Sequence, residues 1–508
     1  MTDPAPDRFN MARYCLADRP ARKLGLIVAG AEGDEAERWS YGELRDAVLR
    51  VAHGLRGLGL RPGDRLLLRL GNEAACPLAF FGAVAAGIVA LPTSPMLTEG
   101  EALFLLADSG AAGIVVGEGL ELASPPPGVR VVPAQAVRGL ARAGPLAEFA
   151  DTGADEPAFM VYTSGTTGRP KGVLHAQRSA WGRRPMYRGW EGLGPDDVVL
   201  HAGAFNWTYT LGTGLTDPWA NGAVAAIHAG PRDPEVWPRL IERLGATIFA
   251  TVPGLYRQIL KRGGPVRARL VSLRHGLSAG EALPPATLES WRDATGTELY
   301  EAFGMSEIST WISQAPPGPA RPGTPGRPQP GRRVAILPAD APAEGDIAPL
   351  PPGEVGLLAV HRSDPGLMLG YWNRPEEEPA VRRGAWFASG DLAHQDADGF
   401  VWYQGRNDDL MNAGGYRVSP LEVEAALAQH PGVAEVAVAE RRVSETASIV
   451  CAWVVPREGA TLTRAELLAW VEPRLAAYKR PKEVLFVPSL PRSPNGKLLR
   501  RLLHQRVG

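Results

Sequence analysis

The sequence predicts an α/β fold: a large N-terminal domain of βαβ-rich sheets carrying a β-rich subdomain, then a small α+β C-terminal domain. Three observations predict it. Short apolar runs at 66–70, 87–92 and 112–116 alternate with helical patterns at 79–86 and 99–109, which is the rhythm of βαβ units around a largely parallel sheet. Proline and glycine crowd into 316–331 and 338–353, around strand-like runs at 333–337 and 355–361. The chain has 508 residues, more than one core supports, so at least two domains are required.

The elements follow in order. Ser40-Tyr-Gly-Glu43 has the form of a capping box, and Leu44, Ala47, Val48, Val51, Ala52 and Leu55 then keep to one helical face, so a helix should run to about 57–59. Strand patterns recur at 198–200, 223–227, 247–250 and 269–272. A strand at 399–403 leads into the polar run 404–409, which places a domain boundary between 407 and 408. Beyond it, Ser419-Pro-Leu-Glu422 reads as a second capping box with proline in the first turn; the helix ends before Pro431, and Val433, Val436 and Val438 mark a strand. The domains expected are therefore 1–407 and 408–508.

Composition narrows the partners. Fifty-four basic against 55 acidic side chains leave no electrostatic footprint for nucleic acid or an anionic membrane, so a small molecule is expected. Cys15, Cys76 and Cys451 are too widely spaced for a disulfide framework or a paired metal motif and read as buried thiols. No window of about 20 residues is apolar enough to span a bilayer, and the acidic opening residues lack a signal-like run, so a cytoplasmic protein is expected. Lysine occurs only at 23, 171, 261, 479, 482 and 497, which makes a lysine inside a glycine-rich motif conspicuous.

Residues 162–172 read Tyr-Thr-Ser-Gly-Thr-Thr-Gly-Arg-Pro-Lys-Gly. Gly165 and Gly168 let the backbone turn tightly around an anion, Thr163, Ser164, Thr166 and Thr167 add donors, and Lys171 adds a charge. Polyphosphate is the guest this chemistry suits. A Walker loop would end Gly-Lys-Ser/Thr, whereas Pro170 precedes Lys171 and Gly172 follows it. Apolar residues at 158–161 and 173–174 place the loop between two buried strands.

Further motifs follow in chain order: Ser278-Ala-Gly-Glu281, Glu301-Ala-Phe-Gly-Met-Ser-Glu307, Ser389-Gly-Asp391, Gly405-Arg406, the run from Gly414 to Glu424, and Pro491-Arg-Ser-Pro-Asn-Gly-Lys497. Their combination resembles the adenylate-forming superfamily of acyl-CoA synthetases, carrier-protein adenylation domains and luciferases, over nearly the whole chain. The resemblance implies ATP, Mg2+ and coenzyme A, and a mobile C-terminal domain. By that resemblance Thr163 to Lys171 hold the β- and γ-phosphates, Glu307 binds magnesium and Ser306 touches the α-phosphate. Phe303, beside Gly304, stands where the family stacks adenine, with Gly280 and Glu281 lining the same pocket. Asp391 would hold the ribose with help from Arg406. Lys497 resembles the family's catalytic lysine, Asp408 its hinge, and Gly414, Gly415 and Arg417 the approach of the coenzyme A arm. The setting of Lys497 also resembles lysines that protein acetyltransferases modify in related synthetases.

Residues 201–219 match the stretch that lines the family's acyl pocket, and they look closest to medium-chain and benzoate-type CoA ligases. Phe205, Asn206, Trp207 and Tyr209 are the candidate walls, although the aromatics suit a core equally well. The function expected is activation of a medium-chain, branched or aromatic acid as acyl-AMP, then transfer to coenzyme A. Loading of a carrier protein in trans is the alternative. A more distant one is serine hydrolysis, since Gly276-Leu-Ser278-Ala-Gly280 fits the Gly-x-Ser-x-Gly pattern; that reading needs a strained strand-to-helix elbow and leaves the other motifs unexplained.

Overall fold

The computed structural model describes residues 4–30, 36–164, 170–262, 266–407, 411–413, 416–442, 448–477, 479–492, 498–500 and 502–503. The chain divides into two compact units, residues 1–333 with 361–380, and residues 334–360 with 381–508.

Two sheets build the first unit. In one, the strands Glu298–Met305, His275–Ala279, Ile248–Thr251, Val198–His201, Val224–His228 and Leu24–Ala29 lie parallel in that spatial order, with antiparallel strands at both edges. The other runs Gly370–Tyr371, Pro170–Ala176, Pro157–Ser164, Val89–Thr93, Arg65–Arg69, Gly113–Val116, Arg130–Pro133, antiparallel over the first three strands and parallel beyond. Strands such as Arg65–Arg69, Val89–Thr93, Gly113–Val116, Val198–His201, Val224–His228 and Ile248–Thr251 are the short apolar runs of the sequence, as strands covered on both faces require.

The first capping box forms: Ser40 Oγ accepts from the Glu43 N–H and the Glu43 carboxylate from the Ser40 N–H at 2.8 Å, opening the helix Tyr41–Gly57. Thr98 and Glu101 make a second one that opens Glu99–Ser109.

Two expectations are corrected. Residues 269–272 do not form a strand: they close the short helix Val266–Arg269 and turn, and the strand that enters the sheet is His275–Ala279. Its five positions are all buried between parallel neighbours, whereas the earlier run offers only Leu270 to the core. Ser419 does not cap the helix Pro420–Ala428, because its hydroxyl donates to the Gln404 carbonyl and Glu422 pairs with Lys479.

In the second unit, Val334–Leu337, Gly356–His361, Trp386–Gln395, Arg382–Arg383 and Val401–Arg406 form one sheet, antiparallel where Val334–Leu337 meets Gly356–His361 and where Trp386–Gln395 meets Arg382–Arg383 and Val401–Arg406. A three-stranded sheet, Val433–Arg442, Ser448–Pro456 and Glu483–Phe486, packs with the helices Pro420–Ala428 and Arg464–Val471 around Val423, Leu427, Val438, Val454 and Leu467. Among the described residues, no helix is long and apolar enough to cross a membrane.

Candidate active site

Strands Pro157–Ser164 and Pro170–Ala176 pair antiparallel with Thr163 opposite Lys171, so the hydroxyl and the ammonium leave the sheet side by side at the mouth of the loop. The Lys171 Nζ lies 3.0 Å from Glu377 Oε2 and 4.1 Å from the centre of the Tyr371 ring. That tyrosine's hydroxyl donates to Glu307 Oε1 at 2.8 Å. The lysine and the glutamate that the sequence singled out thus share one aromatic side chain.

Ser306 and Glu307 sit in the turn between Glu298–Met305 and Ser309–Ser313, where the register shifts between Phe303 and Gly304 as in a β-bulge. Gly304 is required there: a Cβ would stand 2.5 Å from the Ser309 carbonyl oxygen. Ser309 takes φ +75°, an uncommon conformation for a side-chain-bearing residue, and Arg183 donates to its hydroxyl. The Glu307 carbonyl accepts from the Met368 N–H at 2.7 Å.

His175, one strand position beyond Leu174, binds the Ser306 carbonyl through Nε2 at 2.8 Å and stacks on Phe159. A carbonyl only accepts, so Nε2 carries the proton. Burial holds the imidazole down to about 4, neutral at physiological pH. Its Nδ1 and the Ser179 hydroxyl are buried without hydrogen-bond partners and belong to side chains lining a cavity of about 30 Å³, room for one water.

The remaining candidates of this unit lie in the bend after His275–Ala279, on the strand of Phe303 and in the segment 205–209. Gly280 has φ +95°, and the half-buried Trp207 ring covers it, 2.9 Å from where a Cβ would be. Glu281 accepts from the Gly254 N–H, and Phe303 meets Trp311 edge-on with centroids 5.8 Å apart. Phe205 and Tyr209 are buried, and the Tyr209 hydroxyl donates to the Leu277 carbonyl at 3.1 Å. Asn206 and Trp207 keep partial exposure. Asn72 fastens this stretch by donating to the Gly203 and His228 carbonyls and accepting from the Phe205 N–H.

Ser278 lies inside a regular parallel strand, paired in register with Thr251 and Glu301, and its buried hydroxyl has no hydrogen-bond partner. A nucleophile elbow needs a sharp turn and a base within reach. The hydrolase reading falls on that geometry.

In the second unit Asp391 and Arg406 face each other across adjacent strands, Arg406 Nη1 lying 3.9 Å from Asp391 Oδ2. Asp391 is buried and accepts from the Tyr403 hydroxyl at 3.0 Å. Gly165, Thr166, Thr167, Gly168, Asp408, Gly414, Gly415 and Lys497, with the side chains of Ser164 and Arg417, lie outside the described residues.

Among the described residues no three His, Cys, Asp or Glu side chains cluster as a metal cage. Magnesium does not ask for one, since it is commonly held by one or two carboxylates, waters and phosphate oxygens. The donor set at Glu307, a buried carboxylate with one oxygen fixed by Tyr371 and joined through it to a cation suited to phosphate, fits that ion.

The family model for AMP-binding enzyme matches residues 16–372, and that for the AMP-binding enzyme C-terminal domain matches 422–497. The chain is 33% identical to the benzoate–CoA ligase of Thauera aromatica, over 97% of this chain and 95% of that one. It is 32% identical to the mitochondrial acyl-coenzyme A synthetase ACSM5 of Mus musculus, over 99% and 91%. The solved anthranilate CoA ligase AuaEII, in complex with anthranoyl-AMP, superposes with a TM-score of 0.87 at 28% identity, covering 99% of this chain and 98% of that one. With both models on one chain and relatives matched from end to end, the protein belongs to the AMP-binding enzyme family, as an adenylate-forming acid–thiol ligase that uses ATP, magnesium and coenzyme A.

Proposed function

We propose that the protein activates an aromatic or medium-chain carboxylic acid as its acyl-adenylate and passes the acyl group to coenzyme A. The carboxylate attacks the α-phosphorus of ATP and pyrophosphate leaves; the thiol then attacks the acyl carbon and AMP leaves. The observation that carries the reading is the Lys171–Tyr371–Glu307 contact chain, which unites a phosphate-suited cation with a magnesium-suited carboxylate. Phosphoryl chemistry of this kind is mostly positioning and charge neutralisation. Bound magnesium would neutralise phosphate charge beside Glu307.

In this reading Thr163 and Lys171 receive the β- and γ-phosphates, continuing the loop through Ser164, Gly165, Thr166, Thr167 and Gly168. Ser306 meets the α-phosphate, and Phe303, Gly304, Gly280 and Glu281 the adenine. Asp391 accepts from the ribose hydroxyls with Arg406 beside it. Lys497 neutralises charge during adenylation, Asp408 is the hinge at the start of the domain 408–508, and Gly414, Gly415 and Arg417 meet coenzyme A. Asn206 and Trp207 wall the acyl pocket, with Phe205 and Tyr209 packed behind them; a flat indole favours a ring or an alkyl chain. A cytoplasmic location and acetylation of Lys497, which would remove its charge, belong to the same reading.

The test is pyrophosphate release with ATP and magnesium across aromatic, branched and straight-chain acids, with and without coenzyme A. Turnover that requires coenzyme A supports the reading. Release that stalls near one equivalent despite coenzyme A points to a carrier protein as acceptor, and no release with any acid counts against it.

A further inference from the structure

Lys171, the cation of the phosphate loop, is already engaged: Glu377 Oε2 lies 3.0 Å from its Nζ, and the ammonium rests on the Tyr371 ring at 4.1 Å. The acid does not sit on a loose side chain. Glu377 closes the 3-10 turn Pro375–Glu377, and the segment before it is fastened to the sheet through Leu369 N–H to the Leu174 carbonyl and Trp372 N–H to the Gly172 carbonyl, both 2.8 Å. Arg374 adds an ion pair with Asp108, whose other oxygen takes the Tyr162 hydroxyl. Both partners of the Lys171–Glu377 pair are mostly shielded, with side-chain exposures of 17% and 24%, so the pair is less screened than a surface one.

We infer that Glu377 is a positioning residue that holds Lys171 as an occupied cation, so that the β- and γ-phosphates of ATP bind by displacing a carboxylate. The inference rests on the reading of Lys171 as a phosphate ligand. Its physics is a competition: phosphate oxygens approaching Nζ meet a like charge within about 4 Å, and that repulsion lowers affinity for any ligand carrying β- and γ-phosphates. The same repulsion favours departure of pyrophosphate once the adenylate has formed. A ligand with only the α-phosphate never reaches Lys171 and is indifferent to Glu377.

The experiment is calorimetric binding of magnesium-ATP, magnesium pyrophosphate and AMP to the full-length protein and to Glu377→Gln, which keeps the shape and removes the charge. ATP and pyrophosphate should bind about three- to tenfold tighter to the variant, the range of a partly shielded ion pair, with AMP unchanged. Unchanged or weaker ATP binding overturns the inference, as does equal tightening of AMP. Lys171→Met separates the two layers. If it leaves ATP binding intact, the phosphate role of Lys171 fails; if it weakens ATP binding while Glu377→Gln does not tighten it, only the placeholder role fails. In the Lys171→Met background, Glu377→Gln should be silent.

Discussion

Glu301 offers a sharp test of how the site strand is built. It lies on Glu298–Met305, 7% exposed, with Oε1 accepting from the Leu283 N–H at 3.0 Å. Burial pushes its carboxyl from the ordinary 4.5 up to about 8, the backbone donor pulling back only part of the way. Between those values the folded chain holds one proton more than the unfolded chain, so stability is fully present below 4.5 and falls as pH rises, by about 1.4 kcal/mol per unit, until Glu301 ionises near 8. At pH 7 this amounts to about 3 kcal/mol. Glu301→Gln accepts the same Leu283 N–H without titrating, and should be more stable than the parent by up to about 3 kcal/mol at pH 7 and near parity at pH 4.5. Thermal midpoints of both proteins at pH 5, 6, 7 and 8 measure it. A gap that widens with pH supports the reasoning; a constant gap would mean packing, not ionisation, separates the two and would refute it.

Arg332→Met should destabilise the first unit by about 3–5 kcal/mol, seen as a lowered thermal midpoint, because it strands buried Asp364 and removes donors to Gln329 and the Gly182 carbonyl. His175→Leu, which deprives the Ser306 carbonyl of its donor, should lower kcat/KM in ATP–pyrophosphate exchange at least about tenfold, the kinetic equivalent of about 1.4 kcal/mol within the cost of an unmet buried acceptor. His175→Gln, still able to donate, should recover part of it; equal loss in both variants would assign His175 to packing alone.

Much of the fold was legible because strands such as Arg65–Arg69, Val89–Thr93 and Gly113–Val116 are short apolar runs and the helix Tyr41–Gly57 carries its own face; the first capping box was read from four residues. The misread strand at 269–272 shows the limit, since a four-residue run has too few positions to tell a buried turn from a strand. Ser419 shows another: the competing acceptor, Gln404, lies 15 residues back, outside any local pattern. The site divides the same way. Thr163, Lys171, Ser306, Glu307 and Asp391 lie in compact motifs, and a motif is local. Tyr371, Glu377 and His175 escaped because their partners are 64, 206 and 131 residues away, and for Tyr371 and His175 those partners belong to the other sheet.

The groups that escaped explain how the motif holds its shape. The turn carrying Ser306 and Glu307 includes a shifted register, a glycine without room for a Cβ and a serine at positive φ, an arrangement that persists only where its surroundings over-determine it. They do so from several sides: His175 grips the Ser306 carbonyl, the Met368 N–H grips that of Glu307, and Arg183 grips the Ser309 hydroxyl. Arg183 is itself buried, and its charge is answered by Asp217 through Nε at 2.7 Å. A second buried carboxyl, Glu191, stands beside that pair, and burial followed by the Asp217 charge raises it well above the ordinary carboxylate range. The Arg183 guanidinium and the Asp217 carboxylate answer each other's charge, which is the condition for keeping the pair buried beneath a strained turn. In the proposed reading none of these braces touches substrate, yet they decide where a phosphate-facing hydroxyl and a magnesium-facing carboxylate can stand.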